Sequence, residues 1–334
     1  MVNKYTPPKF TEGIIHANGI KFSYIASGKH KDPLVLCLHG FPDTNRTFRL
    51  LLPALEEAGF LAVAPNMRGV WPTGVAPDSP YNTAVMALDT LALIHELGKR
   101  EAMIVGHGWG AAAAFGASQI AYDDTSLRRC GLAPKRIPAV VAISESYGTE
   151  AREFARTDPR EIKRSRILDK LLEDGAAWNI RKNNINYLKQ IRSAWSPDWR
   201  GSSDELELVI QSYSREGALE SAIALHKSLT GNGYRCRDKQ IATLQKVMDL
   251  TMVPATTLLI YGGNDGRHSV PAFDAMPDRL FLNEVYRVCL EEAGYFPHLE
   301  KIVLKDATLE FAKQSNELIT DFLKNARVNH LQAR

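Results

Sequence analysis

The sequence predicts an α/β fold in which a mostly parallel sheet is flanked by helices and an all-helical segment is inserted. Three observations carry this prediction. Short continuous apolar runs recur along the chain, amphipathic helical patterns separate most of them, and residues 151–250 contain helical patterns only. Continuous apolar runs are typical of strands buried on both faces. Strands that alternate with helices are typical of parallel sheets.

The apolar runs predict strands at residues 34–38, 61–64, 102–105, 139–143, 257–260 and 285–288. Helical patterns predict helices at 47–58, 83–98, 110–122 and 308–325.

The segment between the fourth and fifth of these strands breaks the alternation. Helical patterns there cover about 151–173, 183–193, 203–213, 216–229 and 238–248, with WSPDW and GNG as interruptions. The strands that follow still need a sheet to join, so an insertion explains this block better than a separate domain. We therefore predict a core of residues 1–150 and 250–334, and an inserted helical cap of residues 151–249.

Composition and charge exclude several classes of protein. The 334 residues are 45% hydrophobic and 24% charged, which is typical of a globular protein. A net charge of +3 is too small for a nucleic-acid or membrane-surface footprint. The four cysteines lack a CxxC spacing, so neither a zinc site nor a disulfide framework is indicated. No apolar run is long enough to span a bilayer, and the N-terminus lacks the apolar stretch of a signal peptide.

From these observations we expect a cytoplasmic monomer or homodimer. We expect it to need no cofactor and no metal, and to bind neither nucleic acid nor membranes.

A very tight turn from strand to helix is the most informative motif. Residues 104–110 read IVGHGWG and are followed by four alanines. Glycines two positions before and after a central residue let strand and helix approach closely, which is the spacing of a nucleophile elbow. Together with the HGFP segment at residues 39–42, GHGWG resembles the α/β-hydrolase superfamily. It is most similar to the epoxide hydrolase and haloalkane dehalogenase branch, whose elbow usually reads GHDWG.

Further motifs agree with this resemblance in order and spacing. Residues 261–265, YGGND, resemble the family's acid turn, and residues 292–300, EAGYFPHLE, resemble its AGHFPHLE turn after the last strand. Residues 213–227 are similar to a cap helix of epoxide hydrolases. The resemblance spans roughly residues 12 to 325, and it implies an α/β-hydrolase fold with a helical cap over the site.

The same resemblance shows which functional side chains are replaced. It implies a nucleophilic aspartate at the centre of the elbow, where this chain has Gly108, and a general-base histidine where it has Tyr295. A phenol with a pKa near 10 does not accept a proton from water efficiently at neutral pH. A cap tyrosine of the family corresponds to His226, and only Asp265 of the catalytic set remains. We therefore predict no meaningful hydrolysis through a covalent intermediate.

Several remaining positions have two interpretations each. The backbone N–H groups of Phe41 and Trp109 either surround a developing oxyanion or belong to tight turns that the fold needs anyway. Asp265 either orients Tyr295 or a ligand hydroxyl, or is an ordinary turn residue. Tyr295 either donates a hydrogen bond to a ligand or fills the space that Gly108 leaves empty.

Other side chains are candidates for lining a ligand site. His39 and Gly108 would lie at its floor, and Glu145 is either a second carboxylate at its mouth or a strand-end charge in water. Aromatic and histidine side chains of the cap either line an apolar cavity or form its core; they are Trp178, Tyr187, Trp195, Trp199, Tyr213, His226 and Tyr234. We expect structural roles for His107 and His298, and an inert thiol at Cys37.

These inferences predict a non-hydrolytic enzyme on a hydrolase scaffold. It would bind a bulky hydrophobic small molecule, of the kind made in secondary metabolism, and promote a cyclisation, isomerisation or elimination. Two alternatives are a ligand-binding receptor without turnover, and a residual epoxide or ester hydrolase in which Asp265 holds an attacking water.

Overall fold

The computed structural model describes residues 9–75, 81–183, 185–199, 201, 203–230, 238–303 and 308–332. Its main sheet has eight strands in the order β1-β2-β4-β3-β5-β6-β7-β8. They are β1 Thr11–Ala17, β2 Ile20–Ser27, β3 Leu34–Leu38, β4 Leu61–Pro65, β5 Ala102–His107, β6 Ala139–Ile143, β7 Thr256–Gly262 and β8 Val285–Leu290. A separate antiparallel pair consists of β9 Lys301–Val303 and β10 Thr308–Glu310.

The helices of the described chain alternate with these strands or lie in the insertion. Outside the predicted cap lie α1 Leu51–Glu57, α2 Thr83–Glu96, α3 Trp109–Tyr122, α4 Asp124–Arg129, α12 Val270–Asp274 and α13 Phe311–Gln332. Between β6 and β7 lie α5 Gly148–Thr157, α6 Pro159–Ser165, α7 Ala176–Lys182, α8 Asn186–Trp195, α9 Ser203–Ser214, α10 Ala218–Thr230 and α11 Lys239–Leu250. Short 3-10 helices occupy Asn45–Phe48, Arg166–Leu171 and Asp278–Leu280.

The six predicted strands are all present, and they form the parallel part of the sheet. Strands β4, β3, β5, β6, β7 and β8 pair parallel to one another in that order. Every residue of β3, β4, β5 and β6 is buried, because helices cover both faces of the sheet. The predicted α/β fold class is therefore confirmed.

The antiparallel hairpin β1–β2 was not predicted from the sequence. Most residues of β1 are exposed or half-buried, and polar residues interrupt the apolar residues of β2, so both strands lack the continuous apolar run that marks the central strands. Asn18 and Gly19 join them with φ angles of 45° and 73°, as an Asn-Gly hairpin turn requires. This dipeptide is the local signal that would have located the hairpin.

The first helix of the insertion is broken where the sequence predicted one element over 151–173. Asp158 accepts hydrogen bonds from the amides of Arg160 and Glu161, so α6 begins afresh after it. Pro159 takes the first position of α6, where its missing N–H costs nothing. Helix α7 was not predicted, and the GNG segment lies outside the described residues.

The predicted helix at 238–248 is observed as α11. Its buried residues Ile241, Leu244 and Met248 belong to the same hydrophobic cluster as the buried faces of α2 and α3. This packing favours an end of the cap before α11, and the exact division into core and cap stays a prediction. Near the C-terminus the predicted helix at 308–325 begins later, at Phe311, because 308–310 form β10.

Candidate functional site

The elbow after β5 has the backbone geometry that its glycines predict. Gly108 lies between β5 and α3 with φ 51° and ψ −120°, a backbone conformation that residues other than glycine rarely adopt. A Cβ at Gly110 would lie 2.0 Å from the carbonyl oxygen of Leu38 on β3. Glycine at 110 therefore lets α3 begin directly against the sheet.

The side chain of Tyr295 fills the space beside Gly108. A Cβ built on Gly108 would lie 2.1 Å from Tyr295 Oη and 3.3 Å from its Cζ. The phenol is buried, and its pKa is raised well above the usual value by burial and then by the negative charge of Glu145. The hydroxyl of Tyr295 therefore occupies the position that a side chain at 108 would take, and it stays protonated at neutral pH.

Phe41 and Trp109 meet at the carboxyl ends of β3 and β5. Their rings stack at a centroid distance of 4.9 Å, and Tyr213 of α9 packs edge-on against Phe41 at 5.4 Å. Trp109 is the first residue of α3, so its N–H has no partner within that helix. Its amide and the nearby Phe41 are thus in the place where an oxyanion site was predicted.

Three histidines near the elbow have structural partners. His39 donates from Nδ1 to the Gly40 carbonyl at 2.8 Å and accepts from the Met67 amide at Nε2. His107 donates from Nε2 to the Tyr295 carbonyl at 2.9 Å, and His298 Nε2 is hydrogen bonded to Thr47 at 2.7 Å. Burial lowers the pKa of all three rings, which are therefore neutral at pH 7.

Only one group among the described residues has the arrangement of potential metal ligands. Asp43, His107 and His298 each offer an atom within 4.8 Å of the others, and all three are buried. The guanidinium of Arg192 lies 3.5 Å from the Asp43 carboxylate. This positive charge opposes a cation at that place.

Asp265 lies in the turn after β7, as predicted. Its Oδ1 accepts from the amides of Arg267 at 2.6 Å and His268 at 3.1 Å, which is the pattern of an Asx turn. Its Oδ2 is buried without a hydrogen-bond partner among the described residues. Burial raises the pKa of Asp265 well above the usual value, while the two amide bonds lower it. The turn interpretation thus accounts for one carboxylate oxygen and leaves the other unexplained.

The site also contains three titratable residues that the sequence analysis did not name, namely Glu161, Arg267 and His268. His268 lies between Glu145, which follows β6, and Glu161 of α6, at ion-pair distances of 4.0 and 3.7 Å. The charge of Arg267 acts on Glu145, His226 and Tyr295. A histidine three residues after the acid-turn aspartate was the available sequence signal, but only the fold brings α6 against it.

The end of α8 fastens the inserted helices to the site. The carbonyl of Trp195 accepts from the amides of Gly266 at 3.0 Å and Tyr295 at 3.1 Å. Ser196 Oγ donates to Glu300 at 2.6 Å and accepts from the Tyr295 amide at 2.9 Å. Glu300 in turn accepts from the amides of Gly294 and Phe296. One helix end therefore holds the acid turn and the last turn together.

Little empty space remains between the cap and the elbow. The enclosed cavity there measures about 20 Å³ and is lined by residues that include His39, Trp109, Tyr213 and Tyr81. A much larger cavity of about 1040 Å³ lies at the opposite, amino-terminal ends of β6, β7 and β8. In the described chain, the site is thus closed over a space that holds about one water molecule.

The predicted cap residues divide between the site and the interior of the cap. Trp195 packs on Tyr295 at 4.7 Å and Trp199 on Phe296 at 5.6 Å. His226 is buried, and its pKa is lowered to about 4 by burial and by Arg267. Tyr187 instead donates its hydroxyl to the Ile167 carbonyl inside the cap.

Of the remaining predicted positions, one faces solvent and one cannot be placed, and the Cys37 thiol is buried as expected. Trp178 is 64% exposed. Tyr234 lies outside the described residues. Cys37 is buried in β3 and burial raises its pKa, so its thiol stays protonated.

Comparison with known proteins adds the family. A family model described as the alpha/beta hydrolase fold matches residues 33–302. Epoxide hydrolase A of Mycobacterium tuberculosis is 29% identical over 159 residues, which cover 47% of this chain and 44% of that enzyme. The match thus spans less than half the length of that relative.

Solved structures of other proteins share the fold. A loop variant of a haloalkane dehalogenase from Bradyrhizobium elkanii aligns with a TM-score of 0.74 at 17% identity, covering 98% of this chain and 100% of that one. Epoxide hydrolase A from Mycobacterium thermoresistibile aligns with a TM-score of 0.68 at 20% identity, covering 95% and 98%. The sheet order, the glycine elbow and the family match agree, and the chain belongs to the α/β hydrolase fold family.

Proposed function

We propose that this chain does not carry out covalent hydrolysis and instead promotes a non-hydrolytic reaction of a bulky hydrophobic small molecule. The observation that carries the proposal is the contact between positions 108 and 295. Position 108 has no side chain, and the Tyr295 hydroxyl lies where a nucleophile would have to be. A protonated phenol in that place donates hydrogen bonds but does not attack carbon.

The groups that remain suit reactions in which an oxygen gains negative charge. Tyr295 is a buried donor, and the amides of Phe41 and Trp109 lie at the ends of β3 and β5. Such fixed donors stabilise an oxyanion without forming a bond to the substrate. Cyclisations, isomerisations and eliminations that proceed through an enolate or alkoxide develop charge of this kind, and secondary-metabolite biosynthesis is a setting in which they occur.

The lining of the site supports a hydrophobic substrate. Phe41, Trp109, Tyr213 and Trp195 contact one another or Tyr295 through their rings. Aromatic faces bind flat or polyene carbon skeletons by burying apolar surface. A substrate of any size needs the cap to move, because the enclosed space is only about 20 Å³.

The test compares the wild-type chain with the double variant Gly108→Asp/Tyr295→His on a simple aryl epoxide and a p-nitrophenyl ester. We expect no wild-type turnover above the uncatalysed rate, and no covalent ester in the intact mass after rapid quenching. The double variant restores the family's two side chains, so a mass increase that maps to position 108 is expected there. Robust epoxide or ester turnover by the wild type would show that this proposal is wrong, and would favour a water held by Asp265.

A receptor without turnover is the second candidate, and the closed site favours it. Side chains of the cap and the core form one buried cluster that includes Phe41, Leu188 and Tyr295. Opening that cluster around a ligand would change the position of the cap. A ligand that raises the melting temperature and is recovered unchanged after long incubation would support this candidate over the enzyme.

A further inference from the structure

A buried group of charged side chains lies where the cap meets the acid turn. His268 follows Asp265 on the loop after β7 and is 4% exposed. Its Nδ1 lies 3.7 Å from Glu161 Oε2 on α6, and its Nε2 lies 4.0 Å from Glu145 Oε2 after β6. One imidazole ring therefore separates two carboxyl groups that come from different parts of the chain.

Many polar atoms of this group have no hydrogen-bond partner within the described residues. Both ring nitrogens of His268 are among them, together with Glu161 Oε2, Asp265 Oδ2 and Ser269 Oγ. Buried polar atoms are nearly always hydrogen bonded, so a concentration of exceptions requires a reason. A site through which protons or water pass is one of the few arrangements that keeps such atoms free.

We propose that Glu145 is the group that exchanges a proton with the substrate, and that His268, oriented by Glu161, is the positioning residue that keeps that proton on Glu145 at rest. The inference rests on the proposed function, since it supplies the proton acceptor and donor that a cyclisation, isomerisation or elimination needs. Position 295 cannot supply them, because Tyr295 is held as a neutral donor.

The orientation of His268 follows from the fixed position of Glu161. Oε1 of Glu161 accepts from the Ser269 amide at 2.9 Å, which leaves Oε2 facing His268 Nδ1. A carboxylate beside a ring nitrogen selects the tautomer with the proton on that nitrogen. The Nε2 lone pair then faces Glu145, and an acceptor in that place favours the protonated form of a carboxyl group.

The surrounding charges agree with this arrangement. Burial raises the pKa of Glu145 to about 7, and the charge of Arg267 lowers it only in part. Burial lowers the pKa of His268 to about 4, and Arg267 lowers it further, while Glu161 raises it. The ring is therefore neutral at pH 7, whereas Glu145 is close to half-protonated.

The titratable and charged groups that act on or contact Glu145 and His268 come from three parts of the chain. They are Glu161 and Arg164 of α6, Asp265 and Arg267 of the acid turn, and Tyr295 of the last turn. Of Glu145, His268 and Glu161, Glu145 is the most exposed, and its charge acts on Tyr295 beside the elbow. Its side chain is 21% exposed, against 5% for His268 and 1% for Glu161.

The proton step balances without any further reactant. Glu145 O–H breaks as its proton passes to an oxygen or carbon of the substrate, and the carboxylate regains a proton when an O–H or C–H bond of the rearranged substrate breaks. No atom is oxidised or reduced. His268 stays neutral throughout, and its Nε2 lone pair faces the Glu145 carboxyl group at 4.0 Å.

The test is a titration of the full chain by NMR and needs no substrate. The carbon-13 shift of the Glu145 carboxyl is followed from pH 4 to pH 9, assigned by its loss in Glu145→Gln. The nitrogen-15 shifts of His268 report which ring nitrogen carries the proton. We expect a Glu145 midpoint near neutral pH and the proton of His268 on Nδ1.

The decisive variant is Glu161→Gln, which lies on the cap and acts on Glu145 only through His268. Its side-chain amide donates to Nδ1, the ring proton moves to Nε2, and the Glu145 midpoint is expected to fall by about one pH unit. Glu310→Gln, an exposed carboxylate paired with Lys301, is the matched control and should leave the midpoint unchanged.

An ordinary midpoint near 4.5 for Glu145 in the wild type, or a folded Glu161→Gln variant with an unchanged midpoint, would overturn the inference. Circular dichroism shows whether Glu161→Gln folds. If it does not fold, the nitrogen-15 shifts of His268 in the wild type test the inference, because a proton on Nε2 contradicts the proposed orientation of the ring. Wild-type epoxide turnover would overturn the proposed function and leave this titration standing, so the two failures are distinguishable.

Discussion

Gly108 and Tyr295 form a steric pair. The Tyr295 hydroxyl fits beside the elbow because residue 108 has no side chain. With φ at 51° the backbone of 108 is already unfavourable for a side chain, and the Tyr295 hydroxyl takes the space where a Cβ would go. A side chain introduced at position 108 alone would lie against the phenol. A substitution there therefore needs position 295 to change with it.

This pair can be tested through stability alone. We expect Gly108→Ala to lower the free energy of unfolding by about 1–3 kcal/mol, because the new methyl group overlaps Tyr295 Oη. In a Tyr295→Phe background the nearest ring atom would be Cζ, at 3.3 Å, so the same substitution should cost about 1 kcal/mol less. Urea unfolding of the four chains measures the coupling. Equal costs in both backgrounds would contradict the steric pairing.

The raised pKa of Glu145 predicts a pH dependence of stability. The folded chain holds this proton up to about pH 7, whereas an unfolded glutamate releases it near pH 4.5. The folded state thus binds more protons within that window, and its stability falls as the pH rises from about 4.5 to about 7. Glu145→Gln should remove this part of the slope. Parallel curves of unfolding free energy against pH for the two chains would contradict the assignment.

At the scale of elements, the end of α8 joins two turns of the core. Ser196 contributes a hydroxyl that donates to Glu300 and accepts from the Tyr295 amide. Arg192, one turn earlier, donates to the Pro42 carbonyl at 3.0 Å and lies 4.3 Å above the Phe296 ring. The cap is thereby bound to the elements that surround Gly108.

Removal of the Ser196 hydroxyl should loosen this junction. We expect Ser196→Ala to cost about 1–3 kcal/mol of unfolding free energy, because the buried Glu300 carboxylate loses its side-chain donor and keeps only the Gly294 and Phe296 amides. Ser214→Ala is the matched control, since its hydroxyl only donates to the Ile210 carbonyl on the exposed side of α9. That control should change stability by less than about 0.5 kcal/mol. Equal effects of both variants on thermal unfolding would show that Ser196 does not hold the cap.

At the scale of the whole molecule, one buried ion pair connects three distant parts of the core. Arg68, after β4, donates to Asp89 of α2 through two bonds of 2.5 and 2.6 Å. Asn18, in the turn of the β1–β2 hairpin, donates to the same carboxylate at 2.7 Å. Both charged side chains are 2% exposed, so water does not replace any of these bonds.

Loss of this carboxylate should affect the fold as a whole. We expect Asp89→Ala to lower the unfolding free energy by about 3–5 kcal/mol, the usual cost of breaking a buried pair. Asp249→Ala removes the partner of Arg152 in an exposed pair and should cost less than about 1 kcal/mol. Melting temperatures of the two variants measure the difference, and comparable shifts would contradict the structural role of the Arg68–Asp89 pair.

No helix of the described residues is both long and apolar enough to cross a bilayer. The predictions of a cytoplasmic monomer or homodimer without cofactor or metal stay predictions.

The strand predictions are confirmed, because β3 to β8 coincide with the apolar runs of the sequence. Hairpin β1–β2 and helix α7 were missed, since strands exposed on one face and a seven-residue helix carry weak periodicity.

Only the part of the candidate site that lies in sequence motifs could be predicted. Gly108, Tyr295, Asp265, Phe41 and Trp109 follow strands whose carboxyl ends meet, so motif order alone was enough to bring them together. Glu161 and His268 could not be paired in this way. They are separated by more than 100 positions, and their contact depends on how α6 packs against the acid turn.

The sequence by itself determined the α/β fold class, the positions of its six parallel strands and the residues that stand at positions 108 and 295. These follow from local properties, namely apolar runs, glycine spacing and residue identity. Only the tertiary structure decided that the Tyr295 hydroxyl occupies the empty place beside Gly108, that Tyr187 bonds within the cap, and that His268 lies between two carboxyl groups. Those outcomes depend on packing between segments far apart in the chain, where burial and distance determine which groups stay charged and which can meet.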